Sequence, residues 1–167
     1  MRKFLFIASI LFIILFGGLQ LFLYLNKPLP LDELRVRASV LPSLSLTTMD
    51  GESYEPKAGR PLVLIYFNTT CDHCQRQVEW FRKEISRFEG ITLVWMSAQA
   101  DDVLREFVRT TDFTGAEVDV VHVRHEVVAE KFGTLALPQI FVYDGDGRLV
   151  DLFSGETDPA MIRATLP

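Results

Sequence analysis

The hydrophobic positions divide the chain into an apolar beginning and a longer mixed region. After Arg2 and Lys3, residues 4–25 form an almost wholly apolar run of 22 residues. About 20 apolar residues span the hydrocarbon core of a bilayer, whereas a secretory signal peptide has an apolar core of about 7–15. The run also ends without a small-residue cleavage site. Residues 1–27 are therefore expected to be an uncleaved transmembrane anchor, with a cleaved signal peptide as the alternative.

Beyond this anchor, strand patterns alternate with helix patterns. Short apolar runs rich in β-branched residues indicate buried strands, and apolar residues three or four apart indicate helices. The predicted strands are residues 44–48, 53–54, 61–68, 91–97, 117–123, 139–144 and 148–154. The predicted helices are residues 71–88, 101–110, 126–132 and a last one that begins at Asp158. Residues 28–42 contain three prolines and are expected to be a tether, and residues 43–167 are expected to form one domain.

The order of these elements predicts an α/β fold. Strands that alternate with helices form a sheet with parallel strands and with helices on both faces. The turn at residues 144–147 joins the last two strands, so these strands should pair antiparallel and make the central sheet mixed. A second turn, Asp50-Gly51, predicts an additional N-terminal hairpin.

Charge orients the anchor and excludes one class of partner. Arg2 and Lys3 precede the apolar run, and positive residues stay on the cytoplasmic side of a membrane. The domain is therefore expected outside the cytoplasm. Residues 28–167 hold 14 Lys and Arg against 22 Asp and Glu, a net charge of −8. An acidic domain repels phosphate backbones, so nucleic acid is not an expected partner.

The candidate chemistry lies in the stretch Cys71-Asp72-His73-Cys74, which holds both cysteines of the chain. Cys71 stands where a buried strand is predicted to end and a helix to begin, and the amides of a helix N-terminus stabilise a negative sulfur. Cys71 is therefore the candidate attacking thiolate, and Cys74, one turn further on the apolar stripe, is the candidate resolving thiol. A protonated His73 would favour the thiolate, whereas Asp72 would oppose it.

Three other roles of the two cysteines stay open. A structural disulfide across so short a loop would remove little chain entropy. A structural zinc site normally needs four ligands, and His73, His122 and His125 are the only histidines that could join the cysteines. Two buried spectator thiols are the third possibility. No metal ligand is assigned.

A C-x-x-C that opens a helix after a buried strand, with Pro138 ahead of the last two strands, resembles the thioredoxin fold. The 63 residues between Cys74 and Pro138 leave room for an extra αβ element. That insertion, the N-terminal hairpin and the anchor together resemble the TlpA/ResA-like branch of membrane-anchored thiol–disulfide oxidoreductases. The resemblance implies a cis bond between Leu137 and Pro138, with Pro138 against the cysteines and the backbone at Leu137 binding the substrate chain.

The same resemblance implies an extracytoplasmic enzyme that exchanges disulfides with client proteins. The implied partners are client thiols or disulfides and an upstream redox donor or acceptor, and no cofactor is expected. The implied location is the bacterial inner membrane, with a single span and the C-terminal domain on the periplasmic side.

Four positions depart from the family pattern. His73 stands where many members have proline, since their motif is C-x-P-C and this chain has Asp72-His73 between the cysteines. Thr70 stands where the family usually has tryptophan. Gln77 and Ile65 stand where ResA-like proteins and cytoplasmic thioredoxins, respectively, carry an acid that assists proton transfer at the buried thiol. The proton carrier for Cys74 is therefore open. A thioredoxin-like module that binds copper or another metal without turnover is the alternative function. A peroxidase is a further option, because residues 69–71 match a peroxiredoxin motif in part.

Overall fold

The computed structural model describes residues 2–25, 27–111, 113 and 117–166, with the side chains of the first helix described from Ser9 onward. That first helix, α1 (Arg2–Leu25), corresponds to the apolar run. Its large apolar side chains are exposed, for example Phe12 at 66% and Leu15 at 71%. Among the described residues no helix is both long enough and apolar enough to cross a membrane, so the predicted transmembrane span is not supported. Met1 and Asn26 of the predicted anchor lie outside the described residues.

In the described part of the chain, seven strands form one mixed sheet at the centre of the domain. They are β1 (Leu46–Thr47), β2 (Ser53–Tyr54), β3 (Leu62–Tyr66), β4 (Thr92–Ser97), β5 (Val118–His122), β6 (Gln139–Tyr143) and β7 (Leu149–Ser154). Their order is β2-β1-β5-β4-β3-β6-β7. Strands β3, β4 and β5 run parallel, β6 pairs antiparallel with β3, and β7 pairs antiparallel with β6. The predicted mixed α/β sheet is therefore confirmed, as is the N-terminal hairpin, which is β1 paired with β2.

Helices cover both faces of this sheet. On one face, α3 (Asp72–Glu84), a 3-10 turn (Ile85–Phe88) and α6 (Pro159–Thr165) pack over one apolar cluster. On the other face, α2 (Leu31–Arg37) and α5 (His125–Phe132) pack over a second cluster. Helix α4 (Asp101–Thr110) contacts β5, and these two elements form the predicted αβ insertion.

Helix α3 carries the apolar stripe that its sequence predicts. The stripe residues are at most 8% exposed: Cys74, Val78, Phe81, Ile85 and Phe88. The stripe ends in a 3-10 turn rather than in α-helix, and Gly90 reverses the chain with φ of 80°. On α4, Leu104 occupies the centre of the inward face and is fully buried, whereas Val103 and Val108 are 38% and 40% exposed.

The segment predicted as a tether instead packs on the domain. Its residues 31–37 form α2, which begins directly after Pro30. Leu34 and Ala38 are one helical turn apart and are 2% and 0% exposed. The amide of Leu29 donates to the carbonyl of Thr134 at 3.0 Å. An apolar residue pair at helical spacing thus outweighs the prolines that suggested an extended linker.

Candidate functional site

The two cysteines, here called the reactive pair, lie where β3 leads into α3. Cys71 is the N-cap residue of α3, with φ of −85° and ψ of 120°, and its carbonyl accepts the first helical hydrogen bond from Gln75 at 3.0 Å. Cys71 is half-buried, whereas Cys74 is 1% exposed and belongs to the apolar cluster beneath α3. The structure therefore places the two thiols in the different environments that the sequence predicts. Both are free thiols, so the structure represents the dithiol form.

Burial raises the pKa of the Cys74 thiol to about 12. Taking a thiolate out of water is costly, and the backbone amide of Asn68 opposes this effect by donating to the Cys74 sulfur at 3.5 Å. Cys74 is therefore protonated at neutral pH, and it must lose this proton before it can act as a nucleophile.

A hydrogen-bonded loop holds Cys71 in place. The Asn68 side chain accepts from both the amide and the hydroxyl of Thr70, each at 2.8 Å. The amide of Thr69 donates to the side chain of Gln99 at 2.7 Å, and the side chain of Gln75 donates back to the Thr69 carbonyl at 2.9 Å. The polar residue Thr70, at the position where tryptophan was expected, thus helps to close the loop.

The proline ahead of β6 has the predicted geometry. The peptide bond between Leu137 and Pro138 is cis, which confirms that prediction. Leu137 and Cys71 both pack against the apolar cluster that contains Cys74. The carbonyl of Pro138 accepts from the amide of Gly155 at 2.8 Å. The structure therefore brings Leu137, one of the two predicted substrate-binding residues, to the same cluster as the reactive pair.

At the two positions where the family resemblance would place an acid, this chain has no side chain that could exchange a proton with Cys74. Ile65 is fully buried in the apolar cluster. Gln77 is also fully buried, and both ends of its amide are used by the backbone of Thr157. The Gln77 amino group donates to the Thr157 carbonyl at 2.8 Å, and the Gln77 carbonyl accepts from the Thr157 amide at 2.7 Å. Gln77 is thus a clamp between α3 and the segment after β7.

A charged cluster flanks the reactive pair on its solvent side. Arg76 donates from Nε to Oε2 of Glu156 at 2.9 Å and from Nη2 to Oε1 at 2.6 Å. Nδ1 of His73 also contacts Oε1 of Glu156. These hydrogen bonds, first from Arg76 and then from His73, lower the pKa of Glu156 to about 2. Asp72 lies in the first turn of α3, and its charge also acts on Arg76.

Sequence reasoning missed two members of this cluster. Arg76 follows Asp72 by four positions and His73 by three on the predicted helix, so the helical spacing offered a signal that was not used. Glu156 is 80 positions beyond Arg76, in the segment after the last strand, and nothing in its local sequence points to the reactive pair.

The remaining histidines lie on other elements. His122 ends β5, where it pairs with Thr47 of β1, and His125 begins α5. Among the residues with described positions, no three His, Cys, Asp or Glu side chains come together as a metal site would require.

A groove of about 880 Å³ opens beside the reactive pair, between α3 and α4. Its lining includes Cys74 together with the apolar side chains of Val78 and Phe107, and the carboxylates of Asp72 and Asp102. The groove is large enough to hold several side chains of another polypeptide.

Comparison with known proteins gives three kinds of similarity. A model of the AhpC/TSA family matches residues 38–152. The thiol-disulfide oxidoreductase ResA of Bacillus thuringiensis subsp. konkukian is 22% identical over 120 residues, which cover 69% of this chain and 68% of ResA. StoA from Bacillus subtilis, a solved structure, is 16% identical with a TM-score of 0.60, over 75% of this chain and 98% of StoA.

A peroxiredoxin-like protein from Aquifex aeolicus is also similar, with 16% identity and a TM-score of 0.62 over 84% of this chain and 88% of that protein. At these identities the solved structures show the fold alone. Together with the family match, they confirm the predicted thioredoxin-like fold and the prediction that the chain is an oxidoreductase.

Proposed function

Because the chain belongs to the AhpC/TSA family, we propose that it is a thiol–disulfide oxidoreductase that exchanges disulfides with client proteins through Cys71 and Cys74. The observation that carries this proposal is the contrast within the reactive pair. One thiol is half-buried at a helix N-terminus, and the other is buried one turn away with a raised pKa. The relatives named as thiol-disulfide oxidoreductases support the same activity.

The exchange follows from these two environments. The Cys71 thiolate attacks one sulfur of a client disulfide, so that a mixed disulfide forms and the second client sulfur leaves as a thiolate. Cys74 then loses its proton and attacks the Cys71 sulfur, which releases the first client sulfur. The client gains two electrons and, with two protons, becomes a dithiol, and the protein is left with a Cys71–Cys74 disulfide. The reverse sequence oxidises a client dithiol.

Client binding is proposed at two places beside the reactive pair. The backbone at Leu137, next to the cis bond, would pair with the client chain, since Leu137 shares the apolar cluster with Cys71. The groove between α3 and α4 would accept client side chains. An upstream redox donor or acceptor would reset the reactive pair after each exchange.

We further propose that the protein acts outside the cytoplasm, at the bacterial inner membrane. Helix α1 exposes many large apolar side chains between Ile10 and Leu25, which are favourable in a membrane and unfavourable in water. Arg2 and Lys3 precede this set, and such charges favour the cytoplasmic side. An oxidising compartment is also where disulfide exchange with clients is most needed.

The alternative of a copper-binding module lacks a supporting observation among the residues whose positions are described, since they show no cluster of three potential ligands. Stoichiometric copper bound by the purified protein, and lost on mutating Cys71 and Cys74, would favour that module over exchange.

Trapping in cells tests the proposed function. In a Cys74→Ser variant the mixed disulfide on Cys71 cannot be resolved, so client proteins should accumulate in covalent complexes that reducing agents release. Cys71→Ser is the matched control and should trap nothing. If Cys74→Ser traps no client, or if only Cys71→Ser does, the proposed roles fail. Consumption of hydrogen peroxide without client complexes would instead assign a peroxidase activity.

A further inference from the structure

The segment between β7 and α6 is fixed beside the reactive pair from two sides. Gly155 donates its amide hydrogen to the carbonyl of Pro138 at 2.8 Å. Thr157 is held by the fully buried amide of Gln77 through two hydrogen bonds. Glu156 lies between these two anchored residues. The hydrogen bonds from Gly155 to Pro138 and between Thr157 and Gln77 therefore fix the backbone from which the Glu156 side chain extends.

The Glu156 carboxylate in turn holds Arg76. The guanidinium donates from two nitrogens to the two carboxylate oxygens, at 2.9 and 2.6 Å, and such a bidentate pair restricts the orientation of both groups. The side chain of Glu156 is 19% exposed and that of Arg76 is 50% exposed. The pKa of Arg76 is raised, first by the hydrogen bonds to Glu156 and further by the negative charges of Asp72 and Cys71. The guanidinium also reaches back to the first turn of α3, where its Nη2 lies 2.9 Å from Nδ1 of His73, and Cys71 is the N-cap residue of that turn.

His73 joins the same carboxylate. Its Nδ1 contacts both Oε1 of Glu156 and, at 2.9 Å, Nη2 of Arg76. A guanidinium can only donate and an ionised carboxylate can only accept, so one Nδ1 cannot form hydrogen bonds to both in the same protonation state. With a proton, Nδ1 donates to Glu156, and without one it accepts from Arg76. Arg76 lies near Nδ1 because it binds the same oxygen.

We propose that Arg76 is the cation that stabilises the Cys71 thiolate, and that Glu156 is the positioning residue that holds Arg76 there. Together they set how readily the Cys71–Cys74 disulfide is reduced. A cation beside the thiolate stabilises the dithiol form, which makes the disulfide easier to reduce. Without Glu156, Arg76 keeps its charge but is free to turn into solvent. This inference rests on the proposed thiol–disulfide exchange.

The redox equilibrium of the full chain with glutathione measures this effect. In Arg76→Met, the equilibrium constant for reduction of the Cys71–Cys74 disulfide should fall by about two- to fivefold, as for other exposed charge pairs. Arg76→Lys should recover part of this loss, because it keeps the charge but not the bidentate geometry. Glu117→Gln is the matched control. Glu117 also binds two cations, Lys57 and Arg60, but it lies at the end of the parallel strands that is opposite to the reactive pair. The equilibrium constant for reduction of the disulfide should therefore be the same in Glu117→Gln as in the wild type.

A double-mutant cycle separates positioning from a direct effect of the Glu156 charge. If Glu156 acts through Arg76, the effect of Glu156→Ala on the equilibrium constant should be at least halved in an Arg76→Met background. Equal effects in both backgrounds, zero included, would overturn the positioning role. An unchanged constant in Arg76→Met, with the fold intact by circular dichroism, would overturn the role of Arg76.

The wild-type protein distinguishes a failure of this inference from a failure of the proposed function. If the wild type forms no reversible Cys71–Cys74 disulfide at any glutathione ratio, the proposed function fails and the inference fails with it. If the disulfide forms and the arginine variant matches the wild type, only the inference fails.

Discussion

The surroundings of Cys71 and those of Cys74 differ more than their separation of three residues suggests. Cys71 is the N-cap residue of α3, with a hydrogen-bonded polar loop on one side and a cluster of charged side chains on the other. Cys74 is 1% exposed in an apolar cluster, and the amide of Asn68 donates to its sulfur. The same side chain is thus placed to attack at one position and to stay protonated at the other, because solvent and nearby dipoles decide the stability of a thiolate.

The largest expected effect comes from removing the exposed member of the pair. Cys71→Ser should lower the rate of catalysed reduction of a disulfide-containing protein by dithiothreitol to the uncatalysed rate, because no other thiol can begin the exchange. Cys74→Ser should keep the first half of the reaction and lose turnover. A Cys71→Ser protein that still formed mixed disulfides would show that Cys74 is accessible, and the contrast between the two thiols would be wrong.

The raised pKa of Cys74 predicts a pH-dependent stability of the dithiol form. The pKa is higher in the folded than in the unfolded protein, so the stabilisation is complete below about pH 9 and is lost as the pH rises towards about 12. At about 1.4 kcal/mol per pH unit, the free energy of unfolding should fall by on the order of 4 kcal/mol over this window. Urea unfolding of the reduced protein at several pH values measures it.

Cys74→Ala is the control for this measurement, because it keeps the tyrosines that also titrate at high pH. The difference in unfolding free energy between the reduced wild type and Cys74→Ala should change across the same window. If this difference stayed constant from pH 8 to 12, the desolvation of Cys74 that the structure indicates would be wrong.

A smaller effect is expected at the buried clamp between α3 and the segment after β7. Gln77→Glu places a carboxylate oxygen where the Gln77 amino group donates to the Thr157 carbonyl, and this should lower the unfolding free energy by about 1–3 kcal/mol. Gln75→Glu is the matched control, since Gln75 also donates to a backbone carbonyl but is exposed. Equal losses in the two variants would mean that burial of Gln77 is not what makes its amide necessary.

The smallest effect is expected at an ordinary surface carboxylate. Glu117 is exposed, and its ion pairs with Lys57 and Arg60 are screened by water. Glu117→Gln should leave both the unfolding midpoint and the exchange rate within experimental error. A clear change in the exchange rate would show that charges distant from Cys71 act on it, and that its local polar surroundings are not the deciding factor.

Much of the fold is predictable because local patterns and burial agree. The continuous apolar run of β3 and the stripe of α3 are buried as expected, and the turn at Asp50-Gly51 joins a hairpin. The prediction was wrong at α2, because it gave more weight to three prolines than to the helical spacing of Leu34 and Ala38. Composition describes a segment's average tendency, whereas two well-placed apolar residues suffice to dock a short helix.

The sequence by itself determined the chemistry at hand: two thiols three positions apart, one at a strand–helix junction and one on an apolar helical stripe. Those features are local, so spacing alone reveals them. Only the tertiary structure decided what surrounds the thiols. Glu156 reaches Arg76 from 80 positions away because the antiparallel strands β6 and β7 return the chain to α3, and the buried amide of Gln77 fixes it there. Contacts between distant segments depend on how the sheet is closed, which no local pattern encodes.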